Sequence, residues 1–276
     1  MDFPWIVING EVRPREEAVV SLFDLEFSYG FGVYENIRVD RGWPYFLTEH
    51  SQRLLRSAAL IGLAHHFNQE WLETSEAALR AKYPSAATYN LKILLLGGQD
   101  ADNARLYLLP LAPYFPERRW YREGVNLTSI RYERYLPAAK TLNMLGSYLA
   151  YGAARQAGSY DALLIDKEGR AREGTRTNFF VVSGQTIITA PAEAVLAGVT
   201  RDKVIEAARE LGYQVKDQLV PLAEVFNSDG AFITGTSAKI LPVRQIDKQL
   251  LPAVPLALRQ LMKQFDEYLN SVKTSG

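Results

Sequence analysis

The chain has 276 residues, 47% of them hydrophobic and 22% charged, which is enough for two modest domains with cores of their own. Its 31 lysines and arginines balance 31 aspartates and glutamates, so it carries no electrostatic footprint for nucleic acid or an anionic membrane, and a small-molecule substrate is favoured. Zero cysteines exclude disulfides, thiolate metal sites and cysteine nucleophiles, and the three histidines, His50, His65 and His66, are too few and too clustered for most zinc sites. No run approaches the roughly 18 apolar residues of a membrane span. The opening MDFPWIVING has neither a basic n-region nor an apolar h-region, so a cytoplasmic protein is expected.

In chain order, PWIVING and EVRP read as a hairpin around Asn9-Gly10. In SYGFGVYENIRVDRGWPYFL, strands at Val33 to Val39 and Tyr45 to Leu47 flank a turn at Asp40, Arg41 and Gly42. Thr48 is placed to cap a helix running to about Ile61, and Asn68 a second running to about Tyr83. Strands at Tyr89 to Leu96 and Arg105 to Leu109 complete a first domain of mixed strands and helices. PLAPYFPERRWYREG then carries three prolines and a cluster of charge, which reads as a linker. The expected division is a domain over 1–112, a linker over 113–123 and a second domain over 124–276. Strands are expected there at Val125 to Ile130, Ala162 to Asp166, Phe179 to Val182, Thr186 to Thr189 and Gly230 to Thr234. The expected helices are Thr141 to Gln156, Asp202 to Leu211 and Pro255 to Leu269, the last with Leu258, Leu261, Phe265 and Leu269 on one face.

PAAKTLNMLGSYLA, residues 137–150, sets one ammonium, Lys140, at the mouth of a helix whose apolar face is read as Leu142, Leu145, Leu149 and Ala153. Its stem can pack on apolar surface while the ammonium reaches water, or the amine can be functional. Glu173, in GRAREGTRTNFFVV, reads either as a solvated turn residue between Gly169 and Gly174 or as a functional carboxylate. Thr200, in AEAVLAGVTRDKVIEAA, stands at the expected N-cap of the helix Asp202 to Leu211, where a hydroxyl and backbone N–H groups can hold an anion or simply cap. Gly235 to Ser237 offers hydroxyls and amides at a strand end, and Arg53 shares a helix face with His50 and Ser57, where it reads either as half of a surface ion pair or as a functional cation. Together these supply an amine that can form an imine, a carboxylate for a pyridinium nitrogen, and groups suited to a phosphate. Pyridoxal phosphate requires that set, because the cofactor brings the electron sink and the protein must anchor its aldehyde, ring nitrogen and phosphate.

The order YGFGVYENIRV, TEHSQRLLRSA, KTLN, EGTRTNFF, LAGVTRDKVIEAA and FITGTSAKILPV, from about Ile8 to Asp247, resembles the fold-type IV pyridoxal-phosphate enzymes, the class IV aminotransferases. That family includes branched-chain and D-amino acid aminotransferases, aminodeoxychorismate lyases and (R)-amine transaminases. The resemblance implies an α+β or α/β protein of two domains, a small N-terminal α/β domain and a larger one with a mixed sheet or barrel-like core. It implies pyridoxal 5′-phosphate as cofactor, with Lys140 bonded to the aldehyde and shuttling protons, and Glu173 paired with the ring nitrogen. Arg53, the backbone at Val199, Thr200 and Thr236 would bind the phosphate, and Asn178 would be structural. It further implies a homodimer with the active site near the subunit interface, Tyr29 reaching a neighbour's pocket, and Tyr34 and Arg38 facing substrate.

The resemblance also frames the substrate. KTLNML is close to the D-amino acid aminotransferase and lyase form, with Leu145 where branched-chain enzymes usually have tyrosine; YENIR and FITGTSA resemble the branched-chain form, with Asn36 replacing glycine. GGQDADNAR lacks the histidine of the D-type carboxylate trap. Lys92 falls where relatives carry a cation able to hold a carboxylate, and Arg176, Lys239 and Arg105 are further candidates. The expected activity is an aminotransferase exchanging an amino group between a branched-chain or other aliphatic L-amino acid, or alternatively a D-amino acid, and 2-oxoglutarate or pyruvate; a lyase or (R)-amine transaminase is the other possibility.

Overall fold

The computed structural model describes residues 3–274. The chain forms two compact units, one from the chain up to Tyr114 together with Ala139–Asn143, the other from Phe115–Ala138 and the chain from Met144 onward.

The first unit contains β1 (Trp5–Ile8), β2 (Glu11–Pro14), α1 (Leu25–Ser28), β3 (Gly32–Asp40), β4 (Trp43–Pro44), α2 (Leu47–Leu60), α3 (Gln69–Arg80), β5 (Tyr89–Leu96) and β6 (Arg105–Leu111). Its strands make one antiparallel six-stranded sheet in the order β2-β1-β6-β5-β3-β4. Alternation sends Val33, Ile37 and Val39 of β3 and Leu91, Ile93 and Leu95 of β5 to one face, where Leu54 and Ala58 of α2 and Leu72 and Leu79 of α3 close the core. The expected hairpin at Asn9-Gly10 is present, with both turn residues at positive φ. Asn68 caps α3 as expected, its side chain accepting from the Trp71 N–H at 2.8 Å. Two expectations fail. Tyr45 to Leu47 is not a strand, since β4 stops at Pro44 and Phe46 turns into the left-handed region to start α2. Thr48 lies inside α2 and donates instead to Glu73 Oε1 at 2.7 Å.

The second unit contains α4 (Arg118–Glu123), β7 (Val125–Arg131), α5 (Leu145–Gln156), β8 (Asp161–Ile165), β9 (Arg170–Gly174), β10 (Asn178–Ser183), β11 (Thr186–Thr189), α6 (Val199–Glu210), β12 (Gln214–Asp217), β13 (Val220–Pro221), α7 (Leu222–Val225), β14 (Gly230–Gly235), β15 (Lys239–Ile246), β16 (Gln249–Leu250) and α8 (Leu256–Thr274). The path β10-β14-β15-β7-β8-β9 is closed by a pairing of β9 back onto β10, which makes a barrel-like core of mixed strand direction. The closing contact pairs Asn178 with Glu173, and the sheet continues past the ring to β12 at one end and β13 at the other. The face predicted for α8 is the one buried: Leu258, Leu261, Phe265 and Leu269 all lie in the core. The predicted α5 is corrected. It starts at Leu145 rather than Thr141 and buries Ser147, Ala150 and Ala154, leaving Leu145 and Leu149 exposed. The segment 139–143 is drawn into the first unit by backbone pairing, so the helix cannot begin there, and the second unit is not one continuous span. Among the described residues no helix is long and apolar enough to cross a membrane.

Candidate active site

Lys140 owes its position to an edge interaction with β3. Its N–H donates to Ser57 Oγ of α2 at 3.1 Å, and its carbonyl accepts the Tyr34 N–H at 3.0 Å. Thr141 bridges Val33, and the Leu142 N–H donates to the Gly32 carbonyl at 2.9 Å. Gly32 makes the approach possible, because a Cβ there would sit 2.8 Å from Leu142 Cδ1 and 2.9 Å from the Leu95 carbonyl oxygen. The Lys140 ammonium lies 4.6 Å from the centre of the Tyr34 ring, and that of Lys92 lies 5.9 Å from the same ring.

These groups share one sheet face. Val33, Ile37 and Val39 point into the core, so the alternate residues Tyr34, Asn36 and Arg38 point the other way. Lys92 is directly opposite Asn36 on β5, and Asn90 is opposite Arg38. The result is a cationic, hydrogen-bonding face around the Lys140 amine, suited to a carboxylate-bearing small molecule.

Glu35 has the parity of the core face and is 0% exposed. Arg53 donates to it through Nε at 2.6 Å and a terminal nitrogen at 2.8 Å, and His50 Nδ1 lies 2.8 Å from its Oε2. Burial opposes charge on Glu35, but Arg53 and His50 outweigh it and hold the carboxyl far below its usual range. Burial pulls His50 below its ordinary value; Glu35 opposes that shift, while Arg53 and Lys140 add to it. Arg53 is therefore a buried member of a three-residue cluster rather than one half of a surface ion pair.

In the second unit, Glu173, Asn178 and Thr234 form a row across β9, β10 and β14. Glu173 lies in a strand, not in a turn, and is 3% exposed. Arg134 grips it with Nε 3.0 Å from Oε1 and a terminal nitrogen 2.5 Å from Oε2, and Oε2 also accepts the Leu196 N–H at 3.2 Å. Asn178 Nδ2 donates to the Leu196 carbonyl at 2.7 Å, so Leu196 is held on both sides. Asn178 also lies where a side chain on Gly198 would be, a Cβ there falling 2.1 Å from its Oδ1.

Gly198 is the N-cap of α6, so Thr200 is the second helical residue and not the cap expected from sequence. No side chain caps the helix, and Val199 and Thr200 are buried at its start, which leaves the helix N-terminal amides suited to an anion. The Thr234 hydroxyl is buried with no hydrogen-bond partner. Thr236 follows just beyond the end of β14, where a Cβ on Gly235 would lie 3.4 Å from the Arg176 carbonyl.

Other cations have prior engagements. The Arg176 guanidinium lies 4.1 Å from the Tyr151 ring centre, Lys239 pairs with Asp266 at 2.7 Å, and Arg105 is 3.6 Å from Asp24. Tyr29 is 84% exposed. Glu35, Arg134 and Asp161 lie outside the residues expected from the sequence. Glu35 could have been found from its parity, a carboxylate in the apolar stripe Val33, Ile37, Val39. Asp161 is buried and accepts the Thr175 hydroxyl at 2.5 Å and the Thr177 hydroxyl at 3.1 Å, which braces the loop after Glu173.

Residues 32–246, from the first residue of β3 to the last of β15, match the family model "Amino-transferase class IV". The chain is 31% identical to the D-alanine aminotransferase of Bacillus licheniformis over 261 residues, covering 89% of each chain. It is similar to the T.th. branched-chain amino acid aminotransferase solved with pyridoxamine 5′-phosphate, at a TM-score of 0.86 and 30% identity over 97% of this chain and 94% of that one. The same enzyme in complex with N-(5′-phosphopyridoxyl)-L-glutamate gives a TM-score of 0.85 and 29% identity, over 98% and 95% of the two chains. None of these is an aminodeoxychorismate lyase or an (R)-amine transaminase. The chain belongs to the class IV aminotransferases, and its activity is that of a transaminase.

Proposed function

We propose that this transaminase uses pyridoxal 5′-phosphate and exchanges an amino group between an aliphatic L-amino acid and a 2-oxo acid such as 2-oxoglutarate or pyruvate by a ping-pong route. The bound cofactor supplies an electron sink for the substrate's Cα. Lys140 Nζ would hold the cofactor at its aldehyde and would move the proton at the substrate's Cα. Glu173 keeps a proton on the ring nitrogen. The phosphate is bound by Arg53, the Val199 amide, Thr200 and Thr236. Tyr34, Arg38 and Lys92 orient the substrate, with Lys92 on its carboxylate.

The observation that carries this reading is the anchoring of Lys140 on β3, with its amine over the Tyr34 ring that a second cation, Lys92, also approaches. Fit to the cofactor is supported by the donor set: a buried carboxylate in register with Asn178 and Thr234, an α6 start without a side-chain cap, and an orphaned Thr234 hydroxyl. The two T.th. complexes, named for pyridoxamine 5′-phosphate and a phosphopyridoxyl-L-glutamate adduct, support both the cofactor and L-substrates. The D-alanine aminotransferase relative favours D-amino acids as the second reading.

A homodimer belongs to the same proposal, with Tyr29 bordering the partner's site. Its support is the exposed apolar set Leu22, Phe23, Leu25 and Phe27 beside Tyr29, together with Leu145, Tyr148 and Leu149 on α5. Separate additions of L-leucine and D-alanine to the purified yellow enzyme, followed by visible absorbance, test the substrate. Bleaching by L-leucine alone is expected; bleaching by D-alanine alone selects the second reading. Lys140→Ala should stay folded and lose turnover, and full activity in that variant would sink the proposal.

A further inference from the structure

We infer that Arg134 is the positioning residue for Glu173, holding its carboxylate charged and in one orientation so that it can keep a proton on the cofactor's ring nitrogen. This rests on the reading of Glu173 given above. A carboxylate buried to this degree stays ionised only with a counter-charge and hydrogen bonds, and the Arg134 fork supplies both. Two parallel contacts from one planar guanidinium also set the plane of the carboxylate, which a single point charge cannot do.

The surroundings show why an arginine at this position can hold still. The adjacent pair, Glu133 with Arg172 at 2.7 Å, repeats the contact with the charges reversed. Arg172 Nε in turn donates to the Ala194 carbonyl at 3.0 Å, and Glu173 takes the Leu196 N–H. Residues 133–134, 172–173 and 194–196 are thus tied by crossed ion pairs and main-chain bonds. The third of these segments leads into the α6 start that the phosphate is proposed to use. Arg134 therefore orders the carboxylate and, through Leu196, the approach to α6.

The test compares Arg134→Gln, Arg134→Lys, Glu173→Gln and the Arg134→Gln/Glu173→Gln double variant as holoenzymes. Cofactor release by dialysis and the visible band of the bound cofactor are the readouts. Arg134→Gln should weaken cofactor binding about tenfold or more, the size of one lost charge-assisted hydrogen bond, and change the band in the same sense as Glu173→Gln. The double variant should be no worse than Glu173→Gln alone, and Arg134→Lys should fall between wild type and Arg134→Gln. A weakened Glu173→Gln beside a wild-type Arg134→Gln overturns the inference and leaves the role of Glu173 standing. Wild-type behaviour of both single variants overturns that role and the inference with it. Additive losses in the double variant mean that Arg134 acts elsewhere and also refute it. Should Arg134→Gln fail to fold, wild-type affinity and band in Arg134→Lys would refute the orienting role.

Discussion

Glu35→Gln is the sharpest probe of the cluster beneath Lys140. The substitution keeps the shape and one acceptor oxygen but removes the charge that offsets Arg53, itself only 6% exposed. Removing one partner of a buried pair costs about 3–5 kcal/mol, and a retained hydrogen bond returns about 1 kcal/mol, so a loss of about 3 kcal/mol is expected. For a chain of this size that is a drop of about 6–12 °C in Tm. The pH dependence carries a sign. Glu35 is held below its ordinary value of 4.5, so its stabilisation is complete above that pH and is lost as pH falls towards the folded-state value. His50 is also lowered, from 6.5, so the unfolded histidine takes up a proton first and stability begins to fall below about that pH. The wild type should therefore lose stability in two stages on acidification, and Glu35→Gln should lose only the more acidic one. Urea unfolding across the acid range, with hydrogen exchange of α2 as the local readout, measures both effects. A variant within ~0.5 kcal/mol of wild type at neutral pH, or one with unchanged acid dependence below pH 4.5, would refute the assignment.

Three further outcomes follow from particular contacts. Gly198→Ala drives a Cβ to 2.1 Å from Asn178 Oδ1, so it should weaken cofactor retention and lower Tm by several degrees, read by dialysis and calorimetry. Asp161 is raised above its ordinary value by burial, against the opposing pull of Thr175, Arg176 and Thr177, so its charge costs stability at neutral pH and the cost is recovered as pH falls. Asp161→Asn, able to accept from one threonine hydroxyl and donate to the other, should change neutral-pH stability by less than about 1 kcal/mol and flatten this part of the pH profile. Phe265→Ala, in the buried stripe of α8, should cost about 3–5 kcal/mol in urea unfolding.

Periodicity made several elements readable. Val33 to Val39, Tyr89 to Leu96 and Thr186 to Thr189 alternate or run apolar, and α8 repeats its leucines at helical spacing. What escaped has local causes. β15 carries Pro242, which argues against a strand inside a sheet, yet β7 begins pairing only at Val243, so the missing N–H is tolerated. β9 reads as charge and glycine, RAREG with a glycine before it, and becomes a strand only because the barrel closes through it. The start of α5 was misread because Leu142 continues the apolar spacing, although its N–H is spent on Gly32. Lys140, Glu173 and Thr200 were legible as residues from their motifs. Arg134 was not, since nothing local marks an arginine whose partner is 39 positions away.

Glu35 and Glu173 are both carboxylates buried against an arginine, and their settings separate their uses. Glu35 sits on the core side of β3, saturated by Arg53 and His50 in an otherwise apolar stripe, and its effect is to balance the Arg53 charge. An Arg53 so balanced would bring little net charge to a bound anion. On the proposed reading, the electrostatic share of phosphate binding would then fall mainly on the start of α6, whose N-terminal amides no side chain caps. Glu173 instead lies in a row of polar groups with Asn178 and the unpartnered Thr234 hydroxyl, tied by Leu196 to the segment that enters α6. A buried Glu–Arg pair alone therefore says little about function; the company of an orphaned hydroxyl and a helix start is what makes the second a candidate for a binding site.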